Sequence, residues 1–260
     1  MFNKTLFMHF VKTNLKTYLI ITGSLCVLIA IIMGVFDPST MKEIAKSSQD
    51  GPVNPLGDIT TLIAFVSNQY FGNFALIFAM IYSIIIGNKL VADQVDKGSM
   101  AYHLSTPITR TEYTATSAIY FVSSLALMFG LMFTVGWGVA EIVQPGELPV
   151  GIFFTLTVAS LLLHFAISGI TFLASCLFSR ASRSLAMGAG LTVFFFAANL
   201  LSGMSDSLEF LKNLTIISLF DSNAIIHGES YALKLIILAV IGIILYVMGI
   251  SFFKRKDLPL

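Results

Sequence analysis

Six long apolar runs, each nearly free of charge, constrain this chain more than any other feature. They lie at about 17–36, 62–90, 113–142, 150–178, 185–203 and 232–253. Runs of this length match the roughly 30 Å hydrocarbon core of a bilayer crossed as an α-helix. A lipid-exposed backbone must satisfy its own hydrogen bonds, which leaves helices or closed barrels. The short alternating segments of a barrel are missing from the sequence. Hydrophobic residues make up 56% and charged residues only 11%, outside the range of ordinary soluble domains. The expected fold is an all-α polytopic membrane protein, a single transmembrane domain over 1–260 with six transmembrane helices.

Residues 1–16 read as an amphipathic helix lying in the membrane interface. Thr5, His9, Lys12 and Lys16 form one stripe, while Phe2, Leu6, Phe7, Phe10, Val11 and Leu15 cover the other side. Its lysines are placed to meet anionic lipid head groups. The following run is long and no A-x-A-like cleavage site precedes Asp37, so it is expected to be a retained first span. The segment 37–61, with Pro38, Pro52 and Pro55, is expected to be an external loop. Residues 204–231 are only moderately apolar and are expected to form a re-entrant external segment packed on protein.

The side of the membrane follows from the basic residues. With both termini in the cytoplasm, Lys4, Lys12, Lys16, Lys89, Lys97, Arg110, Arg180, Arg183, Lys254, Arg255 and Lys256 are inside. Lys42, Lys46, Lys212 and Lys234 are outside, so eleven of the 15 basic residues lie in the cytoplasm. The positive-inside rule favours that orientation in a cell membrane.

The polar break 93–110 then becomes a cytoplasmic loop with structure of its own. Gly98 permits a sharp turn, and Ser99 is expected to cap a short helix. Met100, His103 and Leu104 fall at i, i+3 and i+4 and share a face. Pro107 ends the helix, and the polar break closes at Arg110. A partner outside the bilayer is expected to grip this helix through Met100, His103 and Leu104.

Other chemistry is sparse. No G-x-x-x-x-G-K-[ST] occurs, so ATP phosphates are not bound by a P-loop in this chain. No H-E-x-x-H or G-x-S-x-G motif occurs. Cys26 and Cys176 sit inside apolar runs, and neither a disulfide nor a metal site is expected. No cofactor is expected in the chain. The net charge of +1 says little about partners, and no nucleic-acid partner is expected. His164 is the only deep ionisable group, and an interhelical hydrogen bond is its expected role. Gln69 and Asn73 in the second span, and Phe194, Phe195 and Asn199 in the fifth, are candidates to line a path. Ordinary helix packing accounts for the same residues as well. Gly130, Thr134 and Gly138 form a small-residue ridge in the third span.

The loop of form acidic–x–Gly–Ser/Thr–…–Leu–Ser–x–Pro–Ile–x–Arg resembles that of the permease subunits of type-2 ABC exporters. The matching residues are Asp93 or Asp96, Gly98, Ser99, Leu104, Ser105, Pro107, Ile108 and Arg110. Ser99 stands where the family more often has Thr, and Ser117 falls where the third span usually begins with Lys. The resemblance implies that the loop is a coupling helix docking on a separate cytosolic ABC ATPase subunit, which holds ATP and Mg. It also implies a second permease, forming a homodimer or heterodimer, with second and fifth spans along the path. The small size resembles Gram-positive exporters of peptides or drugs, including those exporting amphipathic toxin peptides of the phenol-soluble modulin kind. The rival readings are a non-transporting membrane sensor or immunity protein, and an intramembrane enzyme using His164.

Overall fold

The computed structural model describes residues 2–35, 61–105, 107–203 and 206–257. The expected external loop at 37–61 falls almost wholly outside them. Six helices are long and apolar enough to cross a membrane. The first is α1, Lys4–Val35. The second begins as α2, Leu62–Phe65, continues through a π-helical segment, Val66–Ala75, and ends as α3, Leu76–Leu90. Two short helices follow, α4 at Ala92–Asp96 and α5 at Ser99–Leu104. The remaining spans are α6, Arg110–Val143, α7, Val150–Leu177, α8, Ala181–Ser202, and α10, Ala232–Arg255. Between the last two lie 3₁₀ turns at Asp206–Leu214 and Ile217–Leu219 and the short helix α9, Ser222–His227.

The N-terminal region differs from expectation. Residues assigned to an interfacial helix and to a first span form one continuous helix. No glycine or proline separates them, and the buried stripe runs unbroken through Leu6, Phe10, Asn14, Tyr18, Ile21, Leu25 and Ile29. That stripe packs against α6, and the helix continues without a break through residue 16.

The centre of the bundle is α7, which packs against α3, α6, α8 and α10. Two devices hold it there. Glycines allow backbone approach to α10, where a side chain at Gly242 would run into the Phe165 ring and one at Gly249 would crowd Phe172. The second device is a polar ladder toward the second span. His164 Nε2 lies 3.3 Å from the Leu76 carbonyl oxygen, and Thr171 Oγ1 donates to Ser83 O at 3.0 Å. Ser175 Oγ donates to Asn88 O at 3.3 Å and accepts from Ala92 N–H at 2.8 Å. On the opposite side Tyr246 of α10 donates to Ser168 Oγ at 2.9 Å. Inside a bilayer such bonds are worth on the order of 1 kcal/mol each.

Among the described residues, nothing packs closely on the ridge Gly130–Thr134–Gly138. Open space lies beyond Gly130 and Gly138, and Thr134 is exposed. Close approach in the third span occurs instead at Gly136, against Ile29 of α1 and Phe153 of α7.

Candidate functional site

The loop between α3 and α6 is built from its ends inward. Val91 leaves helical geometry at φ −129°, ψ −62° and starts a new direction for α4. The Ala92 amide, at the first position of α4, has no partner in its own helix, and Ser175 supplies one. Asp93 pairs with Lys97 at 2.8 Å along the exposed side of α4. Gly98 takes φ +72°, the left-handed geometry open to glycine. Thr109 then caps α6, its hydroxyl accepting from Glu112 N–H at 3.1 Å.

Two expectations for α5 are revised. Ser99 is the first helical residue and not the cap. Gly98 holds the N-cap position, and the Ser99 hydroxyl lies 2.6 Å from Gln94 Oε1. The expected contact face is also reversed at Met100. This side chain is fully buried in the main apolar cluster. His103 is half-buried, its ring 5.6 Å from that of His9 on α1 and 5.4 Å from that of Tyr113 on α6. Burial, and then the neighbouring His9, push its pKa below the usual histidine range. The Leu104 side chain lies outside the described residues. Among the described side chains, α5 offers Ala101 and Tyr102 to solvent, flanked by the exposed Lys97, Gly98, Ser105 and Pro107. Tyr102 is 80% exposed. An aromatic residue on the outer face of a short helix between charged turns was the available sequence signal for it.

The loop and its flanks are tied to one another and to three further elements. The Tyr113 hydroxyl donates to Leu90 O at 3.0 Å, closing the gap between α3 and α6. Asp96 Oδ2 accepts from Ala181 N–H, at the start of α8, at 3.0 Å. There it also meets the positive end of the helix dipole. Arg110 Nη1 donates to Lys256 O at 2.6 Å, and Lys256 Nζ donates to Cys176 O at 3.1 Å. Through these bonds α4 and Arg110 reach the ends of α7, α8 and α10. The short helix α5 itself meets α1 and α6 through the rings of His9 and Tyr113.

The candidate path residues fall on two elements, the π-helical segment and α8. Gln69 and Asn73 lie on the π-helical segment, Gln69 half-buried and Asn73 exposed. Asn73 Nδ2 donates to Asn68 O at 2.9 Å, within the same segment. Asn199 lines a cleft of about 700 Å³ with Lys212, Asp221, Asn223, His227, Glu229 and Lys234. Phe194 is 52% exposed. Phe195 packs into a second apolar cluster, and its carbonyl accepts from Thr215 Oγ1 at 3.1 Å. The segment covering this cleft is fastened by Asp221, which caps α9 at Ala224 N–H and pairs with Lys234 at 2.7 Å. Burial opposes ionisation of Asp221, but the bonds from Lys234 and the Ala224 amide outweigh it and hold its pKa below the usual carboxylate range.

His164 is enclosed, with Ser160 O 2.8 Å from Nδ1, Leu76 O at Nε2 and the Phe129 ring 5.2 Å away. Its recorded contacts are those of an interhelical strut. No group of three or more His, Cys, Asp or Glu suited to a metal occurs among the described residues.

A family model described as ABC-2 family transporter protein matches residues 15–258. No curated protein matches the chain.

Proposed function

The chain belongs to the ABC-2 family of transporter proteins, and from that premise we propose how its loop and spans work. It is a multi-pass membrane protein and the permease component of an ABC transporter, a family whose members work with an ABC ATPase and are not that ATPase. On our reading the segment 93–110 is the coupling element, both termini are cytoplasmic, and a separate ATPase holding ATP and Mg docks on the outer face of α5. Gly98, Ser99, His103, Pro107 and Arg110 shape and anchor the element. Tyr102 is its contact residue.

The observation that carries this reading is the two-sidedness of α5. Met100 locks one side into the core, while Tyr102 stands clear on the other. Tyrosine is enriched among interface residues that dominate binding energy. Closure of the ATPase pair on ATP displaces α5. The bonds at Ala92, Asp96, Tyr113 and Arg110 pass that displacement to the spans. The ATPase shifts the balance between two states of the permease only through a difference in its contacts with them. The long π-helical segment in the second span is the compliant part of the path, since such segments recur at functional sites. Two permeases, identical or not, enclose the path, with Gln69, Asn73, Phe194, Phe195 and Asn199 along it. The cargo is an amphipathic or hydrophobic peptide or drug.

Tyr102→Glu tests the docking role. Co-purification of the ATPase and substrate transport are expected to fall at least tenfold, while the folded permease is recovered in normal yield. Unchanged co-purification would remove the basis for the assignment and favour a membrane sensor that binds its partner elsewhere.

A further inference from the structure

Among the described residues, three polar side chains of α1 are buried with an atom that has no hydrogen-bond partner: Asn14 Oδ1, the Tyr18 hydroxyl and Thr22 Oγ1. They follow one another at i, i+4 and i+8 and share one stripe of the helix. Asn14 is 2% exposed, Tyr18 9% and Thr22 4%. The Asn14 amide donates to Phe10 O at 3.0 Å, which leaves its oxygen open. Thr22 departs from the habit of hydroxyls in these spans. Ser83, Ser117, Thr157 and Thr192 each donate to the carbonyl four residues back, whereas the Thr22 hydroxyl is not bonded to its own backbone.

Hydroxyls from α3 and α6 complete the group. Tyr82 donates to Ser124 Oγ at 2.7 Å, and the Tyr18 and Tyr82 rings stand edge to face with centroids 6.2 Å apart. Tyr120 has Asn14 and Tyr82 as polar neighbours, and Tyr18 has Thr22. The approaches to Asn14 Oδ1 and Thr22 Oγ1 do not close into direct hydrogen bonds. The group begins near the loop end of the bundle, where Lys89 Nζ donates to Thr13 O at 3.4 Å. From Asn14 to Thr22 it extends about 12 Å along α1, at ~1.5 Å per residue. A groove of about 250 Å³ between α1 and α6 reaches it at Tyr18, Tyr120 and Ser124. A bound water needs only about 10–15 Å³ of such space beside two to four polar partners.

We propose that α1, α3 and α6 hold water inside the membrane, one molecule between Asn14 Oδ1 and the Tyr120 hydroxyl and one between the Tyr18 and Thr22 hydroxyls. A bridging water is nearly as good a partner as a direct bond where two polar groups do not quite meet. At this junction α1 is joined to the bundle through water, whereas α7 is joined to the second span by direct bonds. The apolar remainder of the groove is not part of the site. The assignment requires only that the chain spans a bilayer, so it stands or falls apart from the docking of an ATPase.

The test is X-ray radiolytic labelling of the full chain in phosphatidylcholine nanodiscs, in which radicals formed from water oxidise the side chains beside it. Tyr246 is the internal reference, 6% exposed and with its hydroxyl bonded to Ser168. Tyr18 and Tyr120 are expected to be oxidised roughly tenfold faster than Tyr246. When water enriched in the heavy oxygen isotope is mixed in just before the pulse, the oxygen they gain is expected to be mainly the light isotope, from water already held. Thr22→Val keeps the side-chain shape and removes the hydroxyl. It is expected to slow oxidation of Tyr18 several-fold, to leave Tyr120 unchanged and to lower the melting midpoint. Oxidation of Tyr18 and Tyr120 as slow as that of Tyr246 would overturn the proposal. So would complete uptake of the heavy isotope, the mark of open contact with bulk water, or a raised melting midpoint in Thr22→Val, the mark of a dry, unpaired hydroxyl.

Discussion

Replacing Ser175 by Ala removes a single hydroxyl from the join between the central span and the loop, and its consequence follows from the geometry. The Ala92 amide loses its 2.8 Å acceptor in a fully buried setting. It begins a helix after a break and has no partner of its own there. Leaving a buried donor unsatisfied costs about 1–3 kcal/mol. Polar contacts measured between membrane helices average nearer 0.6 kcal/mol, so about 1–2 kcal/mol is the expected loss. Expressed as a local opening equilibrium, that is a roughly 5- to 30-fold change. Hydrogen–deuterium exchange of a peptide covering 90–97 should therefore speed up by that factor in Ser175→Ala, with exchange in α10 unchanged. Ser175→Cys, which keeps a weak acceptor of similar size, should fall between the two. Exchange at wild-type rate in Ser175→Ala would refute the claim that this hydroxyl fastens the loop to the central span.

Two more outcomes follow from the same contacts. Gly242→Ala drives a methyl group into the Phe165 ring and should destabilise the permease by about 1–3 kcal/mol. Melting in detergent would record a lower midpoint, partly restored in the double variant with Phe165→Leu. His103 sits in a site that disfavours its charged form, so the unfolded loop binds a proton more readily than the folded one. Packing of α5 is then at full strength above about pH 6.5 and weakens as pH falls from there toward the lower folded value. Limited proteolysis at 97–105 should become faster between pH 7.5 and pH 5.5, and His103→Phe should flatten that dependence.

The membrane class and the six spans were legible because long charge-free runs leave a backbone no other solution in lipid. The polar ladder on α7 was legible in principle. Ser160, His164, Ser168, Thr171 and Ser175 recur at spacings of three and four in an otherwise apolar run. His164 alone stands out in that run, because hydroxyls in a membrane helix usually bond to their own backbone. Which side of α5 faces the protein was not legible. Periodicity states which residues share a face, and over six residues it carries no sign of what lies behind them. The pattern alone turns Met100 outward, whereas the main apolar cluster takes its side chain. The π-helical stretch stands out in the sequence only as a polar part of the second span, with Gln69 and Asn73, and that polarity does not separate π from α hydrogen bonding.

The docking of a partner on the outer face of α5 is tested most directly by a photo-crosslinking amino acid placed in turn at 102 and at 100, in cells that make the full transporter. The probe at 102 should capture the ABC ATPase in a nucleotide-dependent manner. The probe at 100, turned into the core, should yield no crosslink to it. Capture of the ATPase from 100 and not from 102 would contradict the account.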